Sequence, residues 1–176
     1  MDNIFKNKIY KILEVFIEHP HKGFHVREIA RELKLSHAIV IKYIKELNKI
    51  NLIKKNNRNL YPVYSANYGD ARFLFYKRNY ILFKIINSGL VDYLWKKTLA
   101  ETIVLFGSCA TGDFTEKSDI DIFVEAKEIK LNLSNYGKVL KRKINLLFEP
   151  DIDNLSKGLK YNIVKGVTLY GSLKID

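Results

Sequence analysis

Cysteine occurs once among the 176 residues, as Cys109. An intramolecular disulfide is therefore excluded, and the composition fits a reducing cytosol rather than the disulfide-stapled secreted class. Methionine and tryptophan also occur once each, and proline three times. No apolar run approaches the ~20 residues that a membrane-spanning helix requires. The opening Met1-Asp2-Asn3 does not begin a secretion leader. A cytoplasmic protein with no membrane partner is the expectation. Internal repeats and low-complexity tracts are absent too. Acidic residues are in short supply: 19 Asp/Glu face 30 Lys/Arg, for a net charge of +11. Hydrophobic residues make up 47%, which argues against disorder and suffices for one packed domain or two small ones.

The positive excess is uneven. Residues 1–67 hold 13 Lys/Arg against 6 Asp/Glu, and residues 68–100 hold 6 against 2, but residues 101–176 hold 11 of each. A basic front and a neutral back predict a half that faces nucleic acid, followed by a separate chemical half.

In the front half, Ile4/Phe5, Ile9, Ile12/Leu13 and Phe16/Ile17 recur at helical spacing until His19-Pro20. Val26, Ile29, Ala30 and Leu33 share one face of a second helix. Lys34-Leu35 makes a tight turn, and Ser36 is a good N-cap for a third helix with Val40, Tyr43/Ile44, Leu47 and Ile50/Asn51 inward. Leu52 to Lys55 and Tyr61 to Ser65 read as two strands around the polar turn Asn56 to Asn59. Three helices and a hairpin make a winged helix-turn-helix. Val26-Arg-Glu-Ile-Ala-Arg-Glu-Leu33, Leu35-Ser36, Val40 through Leu47 and Leu52-Ile53 resemble that domain as seen in many bacterial and archaeal repressors, over about residues 5–66. Asn51 stands where Gly is usual, and Asn tolerates the left-handed conformation such a position needs.

In such domains the third helix enters the major groove of double-stranded DNA. Ser36, His37, Ala38, Ile41, Lys42 and Lys45 are the candidates to meet it, with Lys54, Lys55 and Arg58 of the hairpin on backbone phosphates. Readers of paired half-sites are commonly dimers, so a homodimer accompanies this expectation. The alternative is a domain kept for protein contact with merely solvating lysines; the confinement of the charge excess to this half favours DNA. His19-Pro-His21-x-x-x-His25 is a helix-linking turn rather than a metal site, since structural zinc wants four well-spaced ligands. Residues 69–87 form a connecting helix whose aromatic strip (Phe73, Phe75/Tyr76, Tyr80, Phe83) amid Arg72, Lys77, Arg78 and Lys84 could stack on bases but better suits a core or a dimer seam, and Leu90 to Leu99 form another helix.

The back half is organised around residues 103–124. The apolar run Ile103 to Phe106 enters a turn at Gly107-Ser108. After ten intervening residues come Asp119 and Asp121, leading the apolar run Ile120 to Val124. Residues two apart in a strand point to one side, so the two carboxylates project together. Side by side they repel, and a hard divalent cation is the usual compensation, Mg²⁺ often sharing one or two carboxylates with substrate phosphates. Glycine lets a backbone approach a ligand closely, and a serine at a helix start can donate to a phosphate oxygen.

Gly107-Ser108, ten residues, then Asp119-x-Asp121 resembles the polymerase-β-like nucleotidyltransferase superfamily, and its small stand-alone branch, the minimal nucleotidyltransferases, over about residues 90–173. The ending Gly166-Val-Thr-Leu-Tyr-Gly171 looks like that branch's last strand. The resemblance implies that Gly107 and Ser108, joined by Ser118, hold the phosphates of a nucleoside triphosphate. It makes Asp119 and Asp121 catalytic residues that hold Mg²⁺. It places a third carboxylate, which completes the metal site and helps activate the acceptor hydroxyl, at Asn145. An amide oxygen there can ligate Mg²⁺ but brings no charge and cannot act as a general base.

The expected protein is thus α+β. A winged helix-turn-helix (1–67) and a linker helix (68–89) precede a small mixed-sheet nucleotidyltransferase fold with flanking helices (90–176). Its expected work is Mg²⁺-dependent transfer of a nucleotidyl group from a nucleoside triphosphate to a hydroxyl. In antitoxins of the minimal branch that hydroxyl lies on a partner protein, so the resemblance extends to a toxin–antitoxin role with a small helical partner. The alternative is a transcriptional regulator whose back half, impaired by Asn145, only senses nucleotide.

Overall fold

The computed structural model describes residues 7–56 and 61–174. Arg58 and the rest of the turn 57–60 lie outside the described residues. The chain divides into two compact units, Met1–Phe75 and Tyr76–Asp176.

The first unit begins with α1 (Lys8–Glu18), whose Ile12, Leu13, Val15, Phe16 and Ile17 are buried. Strand β1 (Gly23–Phe24) brings Phe24 edge-on to Phe16, with ring centroids 5.6 Å apart. Helix α2 (Val26–Leu33) starts where the Glu28 carboxylate accepts from the His25 backbone N–H at 2.6 Å. It ends at Lys34, which is left-handed at φ +53° and turns the chain into α3 (His37–Lys49). The Ser36 hydroxyl oxygen accepts from Ile39 N at 3.4 Å, so the cap forms as its chemistry suggests. Val40, Ile44 and Leu47 of α3 face inward, whereas Ile50 and Asn51, expected on the same face, are exposed because the helix ends at Lys49. Asn51 takes the left-handed conformation, φ +59°. Strands β2 (Ile53–Asn56) and β3 (Val63–Ala66) pair antiparallel, and β1 adds to the other side of β3 to give the order β1-β3-β2.

Helix α4 (Ala71–Asn87) runs through the division between the units. Its aromatic strip splits: Phe73 and Tyr80 are buried, whereas Phe75, Tyr76 and Phe83 are exposed. In the second unit α5 (Leu90–Thr98) leads to β4 (Ile103–Phe106), and the short α6 (Gly107–Thr111) follows without a break. Then come β5 (Ile120–Val124), α7 (Ser134–Leu140), β6 (Ile144–Phe148), a 3₁₀ turn (Ile152–Asn154), α8 (Lys157–Val164) and β7 (Val167–Tyr170). The sheet order is β6-β5-β4-β7, with β5 and β6 parallel and the other neighbours antiparallel. The whole is a mixed α and β protein.

Both faces of the central strands are covered. Val104 of β4 and Phe123 of β5 are register partners, and they pack with Ile152 and Ile163 in one buried cluster. Ile103, Leu105, Ile122 and Val124, of the opposite parity, are buried as well. Such strands read as continuous apolar runs for that reason. Among the described residues no helix is long and apolar enough to cross a membrane.

Candidate active site

The face that carries Phe123 and Leu147 into the core changes character at its end. Two residues earlier on each strand stand Asp121 and Asn145, themselves register partners across the parallel β5–β6 pair. On the other side Asp121 faces Phe106, the last residue of β4. The site therefore lies at the rim of the core, at the junction of three strands. The alternation that buries Phe123 also aims Asp121 the same way.

Asp119 lies one residue ahead of β5, yet it joins Asp121. The Asn145 side-chain amide donates to both, at 3.1 Å to Asp119 Oδ2 and 3.0 Å to Asp121 Oδ1. Hydrogen bonds to a charged acceptor contribute about 1.5–3 kcal/mol each. The Lys143 ammonium lies 3.9 Å from Asp119 Oδ2 on a side chain that is 73% exposed. An exposed ion pair of that length contributes about 0–1 kcal/mol. The amide, not the lysine, is thus the main compensation for two adjacent carboxylates.

Gly107 is required here twice over. Its φ is +69°, a region L side chains rarely occupy, and a Cβ there would sit 2.8 Å from Asp121 Oδ2. Ser108 follows in the first turn of α6, half-buried. The Ser118 hydroxyl oxygen accepts from Thr115 N at 2.9 Å, which leaves its O–H free to donate. Behind the carboxylates, the buried Cys109 donates from Sγ to the Asp119 carbonyl at 3.3 Å, packed as a small hydrophobe with a weak donor.

Two buried cations, neither singled out by the sequence reading, hold the loop that delivers Asp119. Arg142 donates to the carbonyls of Thr115 and Ser118, the latter at 3.0 Å. Lys77 donates to the Phe114 carbonyl. Their charged groups lie 4.8 and 4.5 Å from the Phe114 ring centroid. The one sequence signal was a basic run, Lys141-Arg142-Lys143, leading into an apolar strand. It reads as solvent-facing until the strand order is known.

The candidate DNA-contacting residues lie in the first unit. Ser36, His37, Ala38, Ile41, Lys42 and Lys45 on and before α3 are all exposed, as are Lys54 and Lys55 on β2. Lys42 holds its ammonium 5.4 Å from the Tyr43 ring centroid. The three histidines of the 19–25 turn go separate ways: His19 lies tilted against Phe24 with ring centroids 6.1 Å apart, His21 lies tilted against Tyr68 at 4.9 Å, and His25 Nδ1 lies 3.1 Å from the Pro62 carbonyl oxygen. Among the described residues no three His, Cys, Asp or Glu side chains converge to hold a metal ion.

Residues 88–174 match the family described as polymerase beta, nucleotidyltransferase. Over 81 residues the chain is 32% identical to "Putative protein adenylyltransferase MJ0141" of Methanocaldococcus jannaschii, which covers 43% of this chain and 79% of that protein. No solved structure gives a significant match.

Proposed function

The chain belongs to the polymerase beta nucleotidyltransferase family through residues 88–174, and from that membership we propose that it moves a nucleotidyl group from a nucleoside triphosphate to a hydroxyl, with release of pyrophosphate. The observation that carries the reading is the meeting of Gly107, Asp119 and Asp121 at the end of β4 and β5. Two carboxylates suit a hard divalent cation such as Mg²⁺. The space beside Asp121 that a Cβ at residue 107 would fill suits the close approach of a ligand. Asp119 and Asp121 would hold such a cation, which would supply electrostatic stabilisation of the charge that develops as the bond to pyrophosphate breaks.

In this reading Asp119 and Asp121 hold the cation. Asn145 completes the donor set once its amide turns to present the oxygen, because the two ends of the group have the same shape. Gly107 and Ser108 receive the triphosphate, and Arg142 keeps the Ser118-Asp119 backbone in place. ATP is the donor and a protein hydroxyl the acceptor; the name of the M. jannaschii relative supports this choice. An antitoxin acting on a small helical partner protein fits that acceptor.

The first unit acts as a winged helix-turn-helix that holds double-stranded DNA, as a dimer on paired half-sites. Three helices with a β1-β3-β2 sheet, exposed lysines on α3 and β2, and the confinement of the charge excess to residues before 101 support it. One observation favours a second reading, in which the back unit binds nucleotide without transferring it and so regulates the front. It is the Asn145 amide, which stands where the family resemblance puts a third carboxylate and cannot take a proton from an acceptor.

Incubating the full chain with Mg²⁺, each triphosphate labelled at the α-phosphate and a whole-cell protein extract as the source of acceptor hydroxyls separates the two. Transfer predicts covalent label with pyrophosphate release, lost in Asp119→Ala/Asp121→Ala. Sensing predicts retained nucleotide without covalent label, and label appearing in Asn145→Asp. Neither retention nor label in any variant ends both readings.

A further inference from the structure

The charge of the carboxylate pair is set from one side, by the start of β6. Lys143 and Asn145 are two residues apart, and the Ile120 N–H donates to the Lys143 carbonyl at 2.8 Å, which locks that start against β5. Lys143 presents its ammonium 3.9 Å from Asp119 Oδ2. Asn145 presents two amide protons, at 3.1 and 3.0 Å from the paired carboxylates. No further acidic, histidine or cysteine side chain converges on the pair among the described residues. Two carboxylates and one ammonium leave a formal charge of −1.

A divalent cation arriving with a triphosphate brings most of its oxygen ligands and neutralising charge with it. A second cation has no such help and needs anionic protein ligands of its own. Here the third ligand is a neutral amide, and the open position beside Asp119 faces a positive charge. We infer that this site takes one divalent cation, the one carried by the nucleotide, because the Asn145 amide brings no charge to hold a second and the Lys143 ammonium beside Asp119 opposes one. The inference rests on the nucleotidyl-transfer reading, because it concerns the same carboxylates. It assigns Lys143 and Asn145 as the residues that set metal stoichiometry. Lys143 acts through Asp119 and is a positioning residue.

The test counts metal rather than turnover. Mn²⁺ is titrated into the full chain with a non-hydrolysable ATP analogue, and bound ions are counted by electron paramagnetic resonance. One Mn²⁺ per chain is expected for the natural protein, and a second in Asn145→Asp/Lys143→Gln. Lys143→Gln alone keeps the count at one but tightens binding of that ion, because a positive charge beside its ligand Asp119 is removed. That variant changes only an exposed side chain, so it decides the matter even if the double variant fails to fold. Two ions in the natural protein, or no change in either variant, overturns the inference and leaves nucleotidyl transfer standing. Failure of the natural protein to retain the Mn²⁺–nucleotide complex overturns both.

Discussion

In the first unit, every described side chain proposed to contact DNA is exposed and comes from residues 36–55. In the second, the site draws on Gly107, on Asp119 and Asp121, and on Asn145, spread over 39 positions and gathered by three strands. The first kind of surface is a property of one helix face and one hairpin. Losing any lysine from it removes a screened, additive contribution. The second exists only in the folded sheet, and each member conditions the next. Gly107 leaves room for Asp121, Asn145 bridges both carboxylates, and Arg142 holds the turn before Asp119.

That contrast can be broken by experiment. The largest effect is expected from Asp119→Ala/Asp121→Ala: transfer falls by about 10³-fold or more, as when charge-stabilising groups are removed from an active site. Retention on duplex DNA stays unchanged. A parallel loss of DNA binding in filter assays would show that the units are not separable in function.

Next is the converse change. Replacing Lys42, Lys45, Lys54 and Lys55 together with Gln weakens duplex binding about a hundredfold at moderate salt. The slope of log affinity against log salt falls by about 3–4, near 0.9 for each phosphate no longer neutralised. Transfer by the second unit is unaffected. A binding isotherm with an unchanged slope would sink the assignment of these lysines to phosphates.

Gly107→Ala sharpens the comparison from within the second unit. Strain at the positive φ costs about 1–3 kcal/mol, and the methyl group displaces Asp121. Transfer is expected to drop by about 10–100-fold, with a lower melting temperature and normal DNA retention. An active, equally stable variant would mean that residue 107 does not approach Asp121 as described.

The smallest effect belongs to Asp70, at the head of α4. It accepts from Arg72 N at 2.8 Å and from the guanidinium at 2.8 and 3.1 Å. Bonding to the Arg72 side chain, and then to its backbone, holds the Asp70 carboxyl below its ordinary value. A depressed carboxylate contributes stability above its unfolded titration and loses it as pH falls through the folded one. Asp70→Asn therefore lowers the melting temperature slightly at neutral pH and not at all in acid. A difference that grew toward acid would contradict the sign.

Local chemistry made much of the fold legible. Apolar spacing in α1 and α3, the Ser36 cap and the strands on either side of Gly107-Ser108 all rest on neighbours within a few residues. β1 was missed because two residues, Gly23 and Phe24, carry no periodicity. α8 was missed because its apolar positions are few and Gly158 sits near its start; Ser156 was the available signal. Within the site, the spacing of Gly107, Asp119 and Asp121 could be read directly. The hydrogen bonds of Asn145 could not, because they depend on β6 pairing parallel to β5, which no local pattern encodes. The buried Lys77 and Arg142 were hidden for a related reason: a cation is assumed to face water until tertiary packing places carbonyls and a ring around it.

A crystal of the full chain grown with Mg²⁺ and a non-hydrolysable triphosphate tests the central claim most directly. The account predicts one cation between Asp119 and Asp121, the triphosphate against Gly107 and Ser108, and the Asn145 amide turned from its present donor pose. Nucleotide bound elsewhere, with both carboxylates still held by the Asn145 N–H groups, would contradict it.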